Sequence, residues 1–374
     1  MLAFIFFSAI LFIFALANVY IYKRLIVKIS FFKYLHKFLK YFLILLYILQ
    51  MFFFLFRKED FLSDEIYEIL ALSFAPTYCF FFITLFLDFI KFICIFFGKN
   101  YSISYKFLRI IFEIFILIFG GFLIYISINN ALKIPNVKKK QIYIDNLKQE
   151  LKIAMLTDIH LGKNLHKNFL EKLIIKTNAL EPDLVVIVGD LVDTDVMYLK
   201  NYINILNEFK SKFGTFYVLG NHEYYHNVNK VLQLLNENTN MQILLNKNID
   251  LGIINIAGIG DLMGLKQGVY GPDLDKVKKD LNKDKPSILL THQPKTALLY
   301  DVRDFDLILS GHTHAGQIFP FGIAVKLNQG FLYGLYYLNE KTKLYVSSGA
   351  GFWGPSLRVF APSEIVLLEL KGKK

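Results

Sequence analysis

Four long apolar runs fill the first 130 residues of this 374-residue chain, at roughly 2–22, 38–56, 71–97 and 107–128. A helix that crosses a bilayer needs about 17–25 mostly apolar residues. Hydrocarbon offers no partner to a free N–H or C=O, so such runs are restricted to helices packed among one another in lipid. The phenylalanines follow the same division, with 28 of 38 lying in residues 1–122. A mean hydropathy of +0.42 does not fit an ordinary soluble enzyme. An N-terminal all-α transmembrane region of about four helices, residues 1–130, is therefore expected.

The runs are not equivalent. The first and last qualify as spans cleanly, and Phe38 extends the short second one. The third carries Pro76 and also Asp88 and Lys91, three apart on one helical face. Such a pair is expected to neutralise itself inside a bundle; an interfacial helix is the other reading of this stretch. No charge precedes the first run and no small-residue cleavage site follows it, so it reads as a permanent anchor.

Loop charges predict the orientation. Lys23, Arg24, Lys28, Lys33, Lys37 and Lys40 lie between the first two runs with no acid among them. The next loop holds Arg57 and Lys58 against Glu59, Asp60, Asp64, Glu65 and Glu68, and the third is basic again through Lys99, Lys106 and Arg109. Basic loops stay in the cytoplasm, so loops one and three are expected inside. With four spans, the long C-terminal part then lies on the extracytoplasmic face of the cytoplasmic membrane. Lys138, Lys139 and Lys140 argue the other way, but they head a large domain, where the charge rule is weaker.

Beyond a polar connector at 131–150 that ends in a short first strand, composition and pattern change. Short β-branched runs ending in polar residues alternate with helical periodicity. Strands are expected at Lys152–Thr157, Asp183–Val188 and Gly214–Leu219, with a helix at Phe169–Ala179 and helical structure over 197–210. Later strands are expected at Leu251–Ala257, Ser287–Thr291, Leu307–Leu309, Leu344–Ser347 and Glu364–Glu369, and hairpins between 317 and 338. This is an α/β domain over 151–374. Its positive charge is modest and diffuse, so no nucleic-acid partner is expected. Cys79 and Cys94 both sit in the third apolar run, leaving the domain no thiolate with which to bind a metal.

The chemistry lies at the strand ends. Five of the eight histidines follow strands in turns rich in Gly, Asp and Asn. The segments are Thr157-Asp158-Ile159-His160, Gly189-Asp190-Leu191-Val192-Asp193, Gly220-Asn221-His222-Glu223, Thr291-His292-Gln293-Pro294 and Gly311-His312-Thr313-His314. Open α/β sheets hold their ligands at such ends. Imidazole and carboxylate ligands without thiolate suit Mn, Fe, Zn, Ni or Mg. About seven ligands are too many for one ion, so the count predicts two divalent ions bridged by one carboxylate.

With these five segments the chain resembles the calcineurin-like metallophosphoesterases over about residues 150–370, and most closely their membrane-associated bacterial branch. The resemblance implies two mixed β-sheets flanked by helices, with the site at the sheet edges. It implies that Asp158, His160, Asp190 and His314 bind one ion, while Asp190, Asn221, His292 and His312 bind the other. His222 would stand beside the leaving group, oriented by Asp193. Two adjacent cations activate water and clamp phosphoryl oxygens, and a positioned imidazole protonates the departing oxygen. The Ser/Thr protein phosphatase branch has an arginine after the second Asp of its motif. Thr194 stands there instead, which argues against that activity.

Further residues carry two readings each. Arg358, after Gly349-Ala350-Gly351, is either a contact to substrate phosphate or a plain surface or strand-capping arginine. Asp261 lines the cleft or forms a turn, while Gly316 and Gln317 shape the last motif. Phe319, Phe352 and Trp353 form an apolar lip or ordinary core. The function expected is metal-dependent hydrolysis of a phosphodiester or pyrophosphate bond, with a lipid or envelope precursor as substrate class and the bilayer as partner. The alternatives are a nucleotide phosphodiesterase or phosphomonoesterase, and a non-catalytic metal-binding membrane sensor or scaffold.

Overall fold

A computed structural model describes residues 2–30, 33–56, 62–98 and 106–373. The expected loop charges Arg57, Lys58, Glu59, Asp60 and Lys99 lie outside the described residues. The chain divides into two compact units close to Asn130.

The first unit is helical: α1 (Leu2–Arg24), α2 (His36–Phe56), α3 (Asp64–Leu72), α4 (Phe74–Phe96) and α5 (Lys106–Leu132). Among the described residues, four segments are long and apolar enough to cross a bilayer, so this is a multi-pass membrane chain. The third runs over Asp64–Phe96, because α3 and α4 follow each other across Ser73. Pro76 falls in the first turn of α4, where a missing N–H costs no helical hydrogen bond. The expected pairing of Asp88 with Lys91 is corrected. Asp88 instead accepts from Arg24 Nε at 2.6 Å and from Tyr20 Oη at 2.7 Å, tying α4 to α1. Glu113 of α5 accepts from the Ser30 N–H at 2.9 Å and from Arg109 at 3.0 Å.

The second unit is a sandwich of two six-stranded mixed sheets. Its strands are β1 (Asn136–Ile144), β2 (Leu151–Leu156), β3 (Leu184–Val188), β4 (Thr215–Val218), β5 (Gln242–Ile243), β6 (Lys247–Asp250), β7 (Asn255–Gly258), β8 (Ser287–Leu290), β9 (Leu307–Ser310), β10 (Gly334–Tyr337), β11 (Lys343–Val346) and β12 (Glu364–Gly372). One sheet has the order β1-β12-β2-β3-β4-β5 and the other β10-β11-β9-β8-β7-β6. The helices are α6 (Lys167–Asn178), α7 (Val196–Leu199), α8 (Asn221–Tyr225), α9 (Val228–Asn238), α10 (Leu262–Gln267), α11 (Leu274–Lys279), α12 (Thr296–Leu299) and α13 (Gly322–Gln329).

Strand period explains the layers. Successive side chains point to opposite faces, so Leu184, Val186 and Val188 of β3 enter the core between the sheets, while Val185 and Ile187 face the helix-covered side. The second sheet does the same, with Ile288 and Leu290 inward and Leu289 outward. Strands buried on both faces read as continuous apolar runs, as β3 does.

Three expectations change. The short first strand expected at the end of the connector at 131–150 is longer and earlier: β1 pairs in parallel with β12 along nine residues, from Asn136 opposite Glu364 to Ile144 opposite Gly372. Alternation within Asn136–Ile144 buries only Ile142 and Ile144 fully, which weakens its strand signal. The hairpins expected over 317–338 are replaced in part by α13, and only β10 pairs antiparallel to β11. Helical structure over 197–210 is reduced to α7 and a 3₁₀ turn at Ile203–Glu208.

Candidate metal centre

The ligand-bearing loops follow β2, β3, β4, β8 and β9, whose C-terminal ends converge. Main-chain bonds run Asp158 N to Gly189 O (3.1 Å), His160 N to Asp190 O (3.0 Å) and Leu161 N to Leu191 O (2.8 Å), binding the first two loops together. Asp158, His160, Asp190, His312 and His314 all have positive φ, between 49° and 69°. For residues with a Cβ this region is sparsely populated and costs about 1–3 kcal/mol each, and it concentrates at functional sites. Gly189 and Gly220 allow the closest approaches. A Cβ on Gly189 would enter the His292 ring, and one on Gly220 would strike Asp190 Oδ1.

Two clusters of ligand atoms result: Asp158 with His160 and His314, and Asp190 with His292 and His312. In the first, His314 Nε2 lies 3.2 Å from Asp158 Oδ1 and 3.1 Å from His160 Nε2. In the second, His292 Nε2 lies 3.1 Å from Asp190 Oδ2. Asp190 Oδ2 is also 3.8 Å from His160 Nε2, so this carboxylate stands between the clusters. A third group, His160, Asp193 and His222, adjoins them.

The donors fit divalent cations. Asn221 Oδ1, His292 Nε2 and His160 Nδ1 are buried without a hydrogen-bond partner, an arrangement native proteins avoid unless something else satisfies the atom. His292 Nδ1 donates to Val188 O at 2.9 Å, which turns the Nε2 lone pair toward Asp190. Burial and neighbouring histidines push His160 and His312 down to about 3, and burial also lowers His314, so these rings are neutral and able to ligate. His292 behaves oppositely. Burial opposes its charge, but Asp190 overcomes this and raises the ring well above its ordinary value. A proton there and a cation between the two groups are alternative ways to balance the same carboxylate.

His222 lies just outside the clusters. Its Nδ1 is 2.7 Å from Asp193 Oδ1, and its Nε2 is 3.9 Å from Asp190 Oδ2. Against the cost of burial, Asp190 and Asp193 raise its pKa to about 9. Tyr225 and Trp353 flank the ring at 5.3 and 6.3 Å between centroids.

The expectation that Arg358 contacts substrate is corrected. The side chain is wholly buried behind His314, with Nη2 2.9 Å from His314 Nδ1. It donates to the carbonyls of Ser348, Gly351 and Ala361 at 2.6–3.1 Å. Asp261 caps α10, accepting from Met263 N and from Gln293 Nε2. Gln317 bonds the Trp353 carbonyl at 2.9 Å. Phe352 is core, whereas Phe319 is half exposed.

Glu223, in the segment Gly220-Asn221-His222-Glu223, has a structural role that its sequence position alone does not assign. It accepts from the N–H groups of Asp190, Leu191, Val192 and Gly220 at 2.6–3.1 Å, clamping the loops after β3 and β4. Its position three residues after Gly220, at the start of a helix, was the available signal, because a Glu there reaches back to the cap.

A two-sheet sandwich with His/Asp clusters at its strand ends is the architecture of a metal-binding phosphoesterase. Residues 151–316 match the calcineurin-like phosphoesterase family. The chain is 64% identical over 374 residues to an uncharacterized metallophosphoesterase of Campylobacter jejuni, covering 100% of both chains. It is 49% identical over 240 residues to one from Helicobacter pylori, covering 64% of this chain and 65% of that one. It is also 37% identical over 264 residues to a Bos taurus transmembrane protein with metallophosphoesterase domain, covering 66% and 59% respectively. The chain belongs to the calcineurin-like metallophosphoesterases.

Proposed function

We propose that this protein hydrolyses a phosphodiester or pyrophosphate bond in an amphiphilic, membrane-derived substrate, as part of the membrane-associated bacterial branch of its family. The observation that carries this reading is the adjacency of two ligand clusters to His222 and Asp193. Asp158, His160 and His314 would hold one ion and Asn221, His292 and His312 the other, with Asp190 shared between them. When bound, two divalent ions supply an activated water and neutralise charge on the phosphoryl oxygens.

The chain's own residues do the remainder. Asp193 accepts a hydrogen bond from His222 Nδ1–H, which fixes the ring and leaves Nε2–H toward the cleft to donate to the departing oxygen. Tyr225 and Trp353 restrict that ring and keep bulk water from its edge. Residues 131–374 contain only two arginines. Arg303 forks onto Asp301 at 2.8 Å and Arg358 is bonded to main-chain carbonyls. Neither is free to grip a dianionic phosphomonoester, which favours a diester or pyrophosphate. Membrane helices in the same chain favour an amphiphile over a free nucleotide.

The test is elemental analysis of purified protein together with rates on mono-, di- and pyrophosphate substrates, lipids included. Two ions per chain are expected in the active wild type, with both weakened by Asp190→Asn. One tightly bound ion at full activity would overturn the two-ion reading, and a preference for phosphomonoesters would overturn the substrate class.

A further inference from the structure

Residues 319–328, Phe-Pro-Phe-Gly-Ile-Ala-Val-Lys-Leu-Asn, follow the last ligand motif and contain a single charge, Lys326. A helix on a globular surface turns its apolar side to the core. Here α13 does the reverse: Ile323 is 64% and Leu327 84% exposed, and Phe319 and Phe321 before it are each about half exposed. Phe360, 85% exposed, packs its ring 6.0 Å from that of Phe319. Leu298, also exposed, borders Gly330 at the far end of the helix. Three loops that follow ligand-bearing strands or Arg358 thus build one contiguous apolar rim. The base of this rim is rigid, since Gly316 packs against Gly322 without room for a Cβ.

We infer that this rim, formed by α13 with Phe319, Phe321, Leu298 and Phe360, docks into the interface of a lipid bilayer. Contiguous exposed apolar surface on a water-facing domain marks such a site. The occupant follows from the chain itself. α5 ends at Leu132 and β1 starts at Asn136, so only three residues connect a membrane-crossing helix to the domain. At full extension they reach roughly 10–11 Å, which keeps the domain at the surface of the membrane that α5 crosses. Lys326 is placed as interfacial helices place their lysines, able to extend its ammonium toward anionic headgroups. Docking would hold the mouth of the metal centre at headgroup level. That consequence for catalysis rests on the proposed function, whereas the docking itself does not.

The probe is a vesicle of phosphatidylcholine and phosphatidylglycerol, 3:1, holding the full-length chain. Trp353 is the single tryptophan, so Trp353→Phe combined with Leu327→Trp reports on α13 alone. Quenching by lipids brominated near the headgroup, stronger than by lipids brominated near the chain ends, is the expected result. Unquenched emission typical of water would overturn the inference. So would blue-shifted emission that ignores bromine and is lost on dilution into excess lipid, because a second copy would then be the occupant. In a second arm, Ile323→Glu with Leu327→Glu should lower kcat/KM for a vesicle-embedded lipid phosphodiester by about tenfold or more. A soluble nitrophenyl diester should be hydrolysed at the wild-type rate. Undiminished lipid turnover by the double variant would count against docking. Shallow quenching in an enzyme that turns over only soluble esters would leave docking standing and remove the lipid substrate.

Discussion

His222 illustrates how two neighbours decide what a single ring does. Asp193, 2.7 Å away, binds Nδ1, while Asp190 draws positive charge toward the ring without bonding Nε2, which it approaches only to 3.9 Å. Together they outweigh burial and keep the imidazole protonated past neutrality. General acid catalysis is worth about 10²–10⁴-fold, so His222→Ala should lose roughly that factor in kcat with an alkoxide leaving group. The loss should shrink with nitrophenolate, which needs little protonation, and Asp193→Asn should show a weaker version of the same trend. The measurement is kcat against esters of graded leaving-group pKa, with metal content checked in each preparation. A penalty that stays constant along the series would assign the ring to phosphate positioning instead. Arg358 carries the contrary lesson. A glycine-rich approach allows an arginine to turn outward or inward, and this one turns inward onto three carbonyls.

At the scale of elements, β1 is the instructive case. Polar and basic residues dominate Asn136–Ile144, and taken alone the stretch reads as a connector that ends in only a short strand. β12 supplies that partner in parallel register, and Ile142 and Ile144 then close the core between the sheets. Ile142→Ala should therefore cost about 2–4 kcal/mol. At roughly 2–4 °C per kcal/mol for a domain of this size, a drop in Tm of about 4–16 °C is expected by calorimetry in detergent. Lys139→Ala, at an exposed position of the same strand, should leave Tm unchanged. If both variants were silent, β1 would be a linker after all. Glu223 does comparable work for the loops, since four N–H groups on two of them converge on one carboxylate.

At the scale of the whole molecule, loop charge is the term that orients such a chain in a membrane. The third segment has ample helical length, because α3, Ser73 and α4 together span 33 residues over Asp64–Phe96. Four spans with a basic first loop predict an extracytoplasmic domain. An alkaline phosphatase reporter, active only outside the cytoplasm, should work when fused after Lys374 and fail when fused near Lys33. The reverse result would place the domain inside and point to a span that does not cross. The cations flanking the first and third loops are also structural. Arg24 is held by Asp88 and so ties α1 to α4, whereas Arg109 pairs with Glu113 within α5 and donates to the Lys28 carbonyl at 2.8 Å.

Local chemistry explains what could be read without a fold. Apolar length marks the spans, alternation and β-branching mark the strands, and the residues directly after them announce ligands, because each of these signals is carried by residues adjacent in the chain. The Asp158, Asp190, His292, His312 and His314 positions were legible for that reason. Other features depend on residues brought together from afar. Asp88 prefers Arg24, 64 positions away, to Lys91, because a parallel neighbour helix presents its cation at the same level. Glu223 gains its role from the loop after β3, Arg358 from the carbonyls around Gly351, and α13 its outward face from the close packing of Gly316 on Gly322. Such partnerships are set by which surfaces meet when two sheets close on each other, and no window of neighbouring residues encodes that meeting.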